Sequence, residues 1–207
     1  MRGRFITLEG GEGVGKSTQL SALAGAICAR GHKVVTTREP GGSEGAEAIR
    51  ALLMQGSEER WNARAEALLF AAARADHVEK LIQPVLNRGE WVLCDRFIDS
   101  SRAYQGGAGG LGDNDVMALH RIGSEGFLPD RTLVLMLPTR EAEARAIARD
   151  DGKTDRFGAR NIEYHQEVAR RFREFAQTEP ARVRLIDANG SKLDVTARLL
   201  AEIDDLL

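Results

Sequence analysis

The sequence predicts an α/β fold in which a five-stranded parallel sheet is covered by helices on both faces. Short apolar runs typical of buried strands recur along the chain, and segments of helical character separate them. The 207 residues and their 43% hydrophobic content suit a single domain with one core, spanning 1–207. The predicted strands span residues 5–8, 33–36, 91–94, 132–137 and 183–186.

The predicted helices lie between these strands, and their ends carry the residues expected at helix boundaries. Asn62 and Ser191 precede two of them as N-caps, whereas Gly31 and Gly89 lie where others should stop. The helices are predicted at 17–29, 46–55, 63–86, 113–125, 139–148, 161–178 and 191–206.

Residues 145–160, RAIARDDGKTDRFGAR, form a different kind of segment, named here the lid segment. It is charged, nearly devoid of large apolar side chains, and interrupted by Gly152. Such a stretch cannot belong to the core, so it is predicted to be either a solvated turn or a short lid over the active site.

The composition excludes several classes of protein. The 29 basic and 31 acidic residues nearly cancel, so no surface for a nucleic acid polymer is expected. Cys28 and Cys94 have neither metal-ligand spacing nor a disulfide framework, and both are predicted to be small core residues in a reducing compartment. No apolar run is long enough to span a membrane, and the first predicted strand leaves no room for a signal peptide. These observations predict a cytoplasmic protein.

Residues 8–20, LEGGEGVGKSTQL, contain the complete phosphate-loop pattern Gly10-x4-Gly15-Lys16-Ser17 between a predicted strand and a predicted helix. Glycines let backbone N–H groups converge on phosphate oxygens, the lysine reaches the outer phosphates, and the serine hydroxyl ligates Mg²⁺. The alternative is a plain glycine-rich turn, but spacing and context together favour a bound nucleotide. The predicted nucleotide-binding residues are Gly10, Gly11, Glu12, Gly13, Val14, Gly15, Lys16, Ser17 and Thr18.

The run WVLCD at 91–95 is an apolar strand that ends in a carboxylate, as a Walker B strand does. Many strands end in Asp, so this run alone would not indicate a metal site. It does so because a phosphate loop is present in the same chain. Asp95 is predicted to hold Mg²⁺ directly or through water, together with Ser17.

A phosphate loop occurs in switches, motors and kinases alike. The Asn-Lys-x-Asp element that reads guanine in GTPases is absent from the sequence, and 207 residues leave little space for the coupling modules of a large ATPase. A small kinase remains, and it needs a second site for the phosphate of an acceptor.

Arg96 is the first candidate for that second site. It follows Asp95 at the carboxyl end of a strand, where open α/β sheets bind ligands. Its guanidinium could hold a monophosphate with two parallel hydrogen bonds. The alternative is a surface ion pair.

Phe70 and Arg74 are candidates for reading a base. They are four residues apart on a predicted helix and therefore share a face. An aromatic ring can stack on a base, and a donor-only guanidinium favours a base carbonyl over an amino group, hence thymine or uracil over cytosine. The alternatives are a core phenylalanine and a solvated arginine.

The segment DSSRAYQGG at 99–107 offers further polar groups near the same strand end. If it is helical, Ser101 aligns with Gln105 and Ser100 aligns with Tyr104. An ordinary polar helix face is the alternative, and the residues alone do not decide between them.

These motifs resemble the thymidylate kinase family over nearly the whole chain. The matching stretches are FITLEGGEGVGKSTQ at 5–19, REPGG at 38–42, LLFAAARADH at 68–77, DRFIDSSRAYQGG at 95–107, PDRTLVL at 129–135 and DRF at 155–157. The resemblance implies a P-loop NTPase fold and transfer of the γ-phosphoryl group of ATP to dTMP, with Mg²⁺, for dTTP synthesis. It also implies a homodimer.

The resemblance also implies roles for individual residues of the acceptor site. Phe70 would stack on thymine, Arg74 would donate to it, and Ser101 and Gln105 would help to read it. Tyr104 would crowd the ribose 2′ position. The remaining acceptor-site residues would bind the dTMP phosphate or shape its pocket; they are Arg96, Arg38, Glu39 and Pro40.

Family members differ in where they place the catalytic arginine, in the phosphate loop or in the lid. Positions 11–14 of this loop contain no basic residue, which resembles the bacterial lid-arginine arrangement, with Glu12 at the acidic loop position. The predicted catalytic residues are Lys16, Glu12 and Arg96, together with the lid arginines Arg149 and Arg156. Relatives often read Asp-Arg-Phe-Glu where this chain has Gly158 in the last position.

Two rival functions stay open. One is a kinase for another nucleoside monophosphate such as dUMP or dCMP. The other is a nucleotide-binding regulatory protein that has lost turnover. The intact Lys16, Ser17, Asp95 and Arg96 argue against the second.

Overall fold

The computed structural model describes residues 2–138, 157–158 and 160–207. Within these ranges the strands are β1 Phe5–Glu9, β2 Val34–Arg38, β3 Trp91–Asp95, β4 Arg131–Met136 and β5 Val183–Asp187. They form one parallel sheet in the order β2-β3-β1-β4-β5, so β1, which leads into the phosphate loop, lies at its centre. All of the predicted strands are confirmed, with ends that differ by one or two residues.

The helices of the described part alternate with the strands, as predicted. They are α1 Lys16–Cys28, α2 Glu44–Met54, α3 Ala63–His77, α4 Gln83–Asn87, α5 Ile98–Ser101, α6 Asp113–Ser124, α7 Ile162–Thr178 and α8 Lys192–Ala201. Asn62 and Ser191 cap α3 and α8 through side-chain oxygens, as predicted. None of these helices is long and apolar enough to cross a membrane. The predicted helix 139–148 and most of the lid segment lie outside the described residues.

The predicted helix 63–86 is confirmed in its path but not in its hydrogen-bond pattern. α3 passes into a π-helical segment, Val78–Ile82, before α4 begins. Pro84 lies at the second position of α4, where it has no N–H for the carbonyl of Lys80 and its ring crowds that carbonyl. The wider turn just before the proline accommodates this defect.

The predicted helix 191–206 ends early. α8 stops at Ala201, and a short 3-10 turn, Asp204–Leu206, follows. Continuing the helix would place the carboxylates of Asp204 and Asp205 at its negative C-terminal end. Arg131 instead donates to the Asp205 carboxylate at 2.7 Å and stabilises the turn.

The prediction that both cysteines are core residues is wrong for Cys28. Cys94 is buried in β3, whereas Cys28 is exposed at the end of α1. α1 buries a stripe that includes Leu23 and Ile27, and Cys28 lies about 100° further around the helix axis. Its thiol therefore faces away from the sheet.

Helices cover both faces of the sheet, which explains why the strands read as continuous apolar runs. On one face, Leu8 of β1 packs in a cluster with Ile27 of α1. Phe5 points to the other face and meets Phe97 edge-on, with ring centroids 4.9 Å apart. Because side chains alternate along a strand, Glu9 lies on the same face as Phe5, at the end of β1 where the functional site begins.

His120 on α6 is buried beside this second cluster. Its ring packs edge-on against Phe97, with centroids 5.8 Å apart, and Nε2 donates to the carbonyl of Phe127 at 2.9 Å. Burial, reinforced by the charge of Arg74, lowers the pKa of His120 from 6.5 to about 4. Protonation would also leave the Nδ1–H buried without an acceptor in the described part of the chain.

We expect acid to destabilise the fold through His120. Because its pKa is lower in the folded state, its contribution to stability is complete above pH 6.5 and is lost as the pH falls towards about 4. Between about pH 7 and about pH 5, this loss should lower the free energy of unfolding by about 2 kcal/mol. Urea unfolding of the native chain and of a His120→Gln variant at both pH values measures this change in the free energy of unfolding. A stability difference between the two chains that stays constant with pH would contradict the expectation.

Candidate active site

The carboxyl ends of β1, β2 and β3 open into a cavity of about 330 Å³. The phosphate loop forms one wall, and α3 with residues 98–108 forms the opposite wall. All of the residues predicted to bind substrate line this cavity: Arg38, Glu39, Pro40, Phe70, Arg74, Arg96, Ser100, Ser101, Tyr104 and Gln105. The site therefore lies at the edge where open α/β sheets bind ligands.

The phosphate loop has the backbone that its glycines permit. Gly15 takes a left-handed conformation, with φ of 91°, as the residue that caps α1. A side chain on Gly10 would overlap the Leu135 carbonyl, so β4 can pass close to the loop. Val14 packs in the core, so only its backbone is available to a ligand. The loop residues that line the cavity are Glu12, Gly13, Gly15, Lys16, Ser17 and Thr18.

Lys16 is the first residue of α1, and its ammonium group folds back over the phosphate loop. Nζ donates to the Gly11 carbonyl at 2.6 Å and to the Gly10 carbonyl at 3.3 Å. Burial, followed by the charge of Arg96, lowers the pKa of Lys16 to about 8. The arrangement holds a poorly hydrated cation at the loop, where the negative charge of a phosphate chain would replace the two carbonyls as its partner.

Asp95 and Ser17 meet at the end of β3, as the sequence predicted. The Ser17 hydroxyl donates to Asp95 Oδ2 at 3.0 Å. Asp95 Oδ1 is buried without a hydrogen-bond partner among the described residues. One carboxylate and one hydroxyl fit Mg²⁺, because this ion usually keeps several waters and takes its other ligands from substrate phosphates.

Arg96 is half-buried against the phosphate loop, where its ion pair is with a residue of that loop. Its backbone has a left-handed φ of 68°. Nη1 donates to the Gly10 carbonyl at 3.0 Å and to Ser100 Oγ at 3.1 Å, while Nη2 forms a short ion pair with Glu12. The guanidinium also lies 5.0 Å from the centre of the Tyr104 ring. Several contacts thus fix a cation between the phosphate loop and the opposite wall.

Glu9 belongs to this site although sequence reasoning did not single it out. It is fully buried, and its carboxyl oxygens accept from the Phe97 N–H at 2.7 Å and the Ser100 hydroxyl at 2.5 Å. Burial, followed by repulsion from Asp99, raises the pKa of Glu9 to about 8. The available signal was a charged residue at the end of an otherwise apolar strand, directly before the phosphate loop.

Residues 98–108 are helical throughout, in an unusual form. α5 is followed by a π-helical segment, Arg102–Ala108. Ser100, Ser101, Tyr104 and Gln105 all line the cavity. π-helical turns are frequent at functional sites.

Arg74 is buried, which excludes the alternative of a solvated arginine. It is 2% exposed. Nε donates to Glu39 Oε2 at 2.8 Å, and Nη2 donates to Ser101 Oγ at 2.6 Å. The guanidinium also lies 5.3 Å from the centre of the Phe97 ring. Arg74 is therefore held from two sides while it lines the cavity.

Phe70 and Gln105 complete the same wall. Phe70 is half-buried, so it is neither a core residue nor a surface residue. Its ring meets Phe157 at a centroid distance of 5.7 Å and an angle of 64°. Gln105 Nε2 donates to Glu66 Oε1 at 3.0 Å, which fixes the orientation of its amide. An aromatic face and oriented polar groups thus stand side by side, as base recognition requires.

Four lining residues were not identified from the sequence. Arg50 on α2 donates to the Pro40 carbonyl at 2.7 Å, Met54 lies one turn further on, and Phe97 and Phe157 add aromatic surface. Arg50 and Met54 sit in an ordinary amphipathic helix pattern, so the sequence carried no signal for them. Phe157 lies in the DRF stretch that carried part of the family resemblance.

Only some of the predicted catalytic residues lie within the described part of the chain. Glu12, Lys16 and Arg96 converge on the cavity. Arg149 and Arg156 lie outside the described residues, and their role stays a prediction.

Comparison with known proteins gives the family. The thymidylate kinase family model matches residues 8–199. A thymidylate kinase from Rhizorhabdus wittichii is 61% identical over 207 residues, covering 100% of both chains, and one from a Bradyrhizobium species is 50% identical over 191 residues, covering 92% of this chain and 84% of the relative. The crystal structure of thymidylate kinase from Ehrlichia chaffeensis matches with a TM-score of 0.77 and 29% identity, covering 100% of both chains. The phosphate loop, the two-walled cavity and these full-length matches together establish that this chain belongs to the thymidylate kinase family.

Proposed function

We propose that the cavity positions ATP and dTMP for transfer of the γ-phosphoryl group, giving ADP and dTDP on the way to dTTP. The observation that carries the proposal is that one cavity joins a phosphate loop on one wall to an aromatic and donor-lined pocket on the other, with Arg96 between them. Phosphoryl transfer depends chiefly on placing the two reacting oxygens in line and on stabilising spread negative charge.

On the ATP side, the loop amides and Lys16 would hold the phosphate chain. Lys16 already lies at the loop, so nucleotide binding needs only the exchange of two carbonyl partners for phosphate oxygens. Ser17 and Asp95 would hold Mg²⁺, which when bound neutralises charge on the phosphates.

On the acceptor side, Arg96 would bind the dTMP phosphate, assisted by Arg38. Arg96 offers a planar fork of donors that suits a phosphate. Arg38 is exposed at the cavity mouth and pairs with Glu47 at 3.1 Å, a contact that solvent makes easy to exchange. Glu39 and Pro40 would shape the pocket below the phosphate.

Base recognition would fall to Phe70, Arg74, Ser101 and Gln105. Phe70 supplies a face for stacking, and Arg74 presents only donors, which favours a base carbonyl over an amino group. Tyr104 is 5% exposed and fixed beside Arg96, a place where its ring would crowd a ribose 2′ hydroxyl and so favour deoxynucleotides.

An acceptor panel tests this function. ADP release is followed with ATP and Mg²⁺ in the presence of dTMP, dUMP, dCMP, dGMP, dAMP or no acceptor. We expect rapid release with dTMP and little with dCMP, because the amino group of cytosine cannot accept from Arg74. Equal release without acceptor would indicate an ATPase, and nucleotide binding without any product would indicate the regulatory alternative.

A homodimer and a cytoplasmic location are proposed as well. Leu68 on α3 and Ile122 on α6 are 55% and 83% exposed, on two helices that pack together, which supports a self-associating face. The molar mass from light scattering tests the dimer. The free thiols of Cys28 and Cys94 support a reducing compartment, and fractionation of cells tests that location.

A further inference from the structure

We infer that His77 is a positioning residue for the acceptor base, acting on Arg74 through Glu39. This role rests on the proposed function of the cavity. It assigns a part in dTMP binding to a residue that does not line the cavity.

A continuous chain of side-chain contacts connects His77 to the base pocket. His77 Nδ1 lies 3.2 Å from Glu39 Oε1, and Glu39 Oε2 accepts from Arg74 Nε at 2.8 Å. Arg74 continues the chain to Ser101 Oγ at 2.6 Å. Beyond His77, Nε2 lies 2.8 Å from the Thr37 hydroxyl. The chain therefore links the end of β2 to α3 and α5, the elements that surround the pocket.

The three ionisable residues in this chain of contacts are all buried. His77 is 0% exposed, Arg74 2% and Glu39 6%. A carboxylate in such a place needs a donor on each oxygen, because water is not at hand to replace a lost partner. Since a carboxylate oxygen only accepts, the imidazole presents its Nδ1–H to Glu39.

The two donors on Glu39 set its orientation and hence that of Arg74. With His77 holding Oε1, only Oε2 remains for Arg74, and the rest of the guanidinium is directed to Ser101 and the cavity. Without the Nδ1–H, the carboxylate would gain by turning both oxygens to Arg74, since a two-point Arg–carboxylate pair is the stronger contact. The guanidinium would then be drawn away from the base.

The imidazole itself is confined. A side chain on Gly42 would overlap both the His77 ring and the Thr37 hydroxyl, so these groups pack directly on the REPGG backbone. Gly42 has a φ of 88°, which a glycine adopts without strain. The ring is thus held on one side by this backbone and on the other by Glu39, as a positioning group requires.

Two amide substitutions separate this role from simple packing. The amide nitrogen of asparagine lies where Nδ1 of histidine lies, whereas that of glutamine reaches the position of Nε2. We expect His77→Asn to keep the dTMP dissociation constant and KM within about twofold, and His77→Gln to raise both roughly tenfold, with KM for ATP unchanged in each. The measurements are calorimetric titration of dTMP without ATP and steady-state kinetics with each substrate varied.

Thr37→Val is the matched control, because it removes the contact on Nε2 and leaves the Glu39 contact in place. Equal dTMP affinity in His77→Asn and His77→Gln, or a parallel rise of both KM values, would overturn the inference. If His77→Gln does not fold, His77→Ala with added imidazole replaces it, and failure of imidazole to restore dTMP affinity would count against the inference. Titration needs no turnover, so an inactive native chain that binds dTMP would refute the proposed reaction while the two variants still decide the role of His77.

Discussion

Replacing Arg96 by alanine should lower kcat/KM for dTMP by about 10²–10³-fold, with loss in both affinity and turnover. Arg96 is the cation between the two walls, fixed by the Gly10 carbonyl, by Ser100 and by Glu12. Pre-positioned charge of this kind stabilises a phosphoryl group without reorganisation during the reaction. Removing it also leaves Glu12 without its ion-pair partner, so the site becomes more negative where two phosphates must approach.

The measurement is steady-state kinetics with dTMP and ATP varied separately. Alanine and arginine meet similar strain at the left-handed φ of 68°, so the substitution should change chemistry more than backbone. Arg88→Ala, which removes a surface arginine paired with Glu90, is the matched control. Arg96→Lys should restore only part of the activity, because an ammonium group cannot form the planar two-point contact. A normal kcat/KM in Arg96→Ala would exclude Arg96 as the phosphate clamp.

The sheet and the phosphate loop could be predicted from the sequence because each depends on local chemistry. Buried parallel strands need continuous apolar runs, and the loop needs glycines at fixed spacing before a helix. The ends of β2 and β4 shifted by one or two residues, since pairing with neighbouring strands extends or shortens a strand regardless of its own pattern. The π-helical turn before Pro84 shows the same limit, because proline predicts a defect but not how the helix absorbs it.

The residues of the site likewise fall into two groups, those that the sequence could predict and those that it could not. Residues within a motif, such as Lys16, Asp95 and Arg96, could be predicted from spacing, and all three line the cavity. Glu9 and His77 could not, because their importance comes from groups that are distant in sequence. Glu9 binds the hydroxyl of Ser100, and His77 binds Glu39 across an inter-element contact. No pattern within α3 distinguishes His77 from an ordinary buried histidine such as His120.

The cations of the described residues that line the cavity do not include one that is free to stabilise the transferring γ-phosphoryl group. Each one within the described ranges is bonded to a protein group, namely Lys16 to loop carbonyls, Arg38 to Glu47, Arg50 to the Pro40 carbonyl, Arg74 to Glu39 and Arg96 to Glu12. Positions 11–14 of the loop contain no base. A transition state with charge spread over the γ-phosphoryl oxygens calls for a further cation, and the lid segment contains Arg149 and Arg156.

We therefore expect Arg149→Ala or Arg156→Ala to lower kcat by roughly 10³-fold while dTMP affinity stays unchanged. Single-turnover kinetics and dTMP titration of each variant measure the two quantities, with Arg173→Ala on the exposed side of α7 as control. Normal turnover in both lid variants would contradict the lid-arginine assignment. The split between the two quantities separates this cation from Arg96. An arginine that holds the acceptor before reaction costs affinity when it is removed, whereas one that meets only the transferring group costs rate alone.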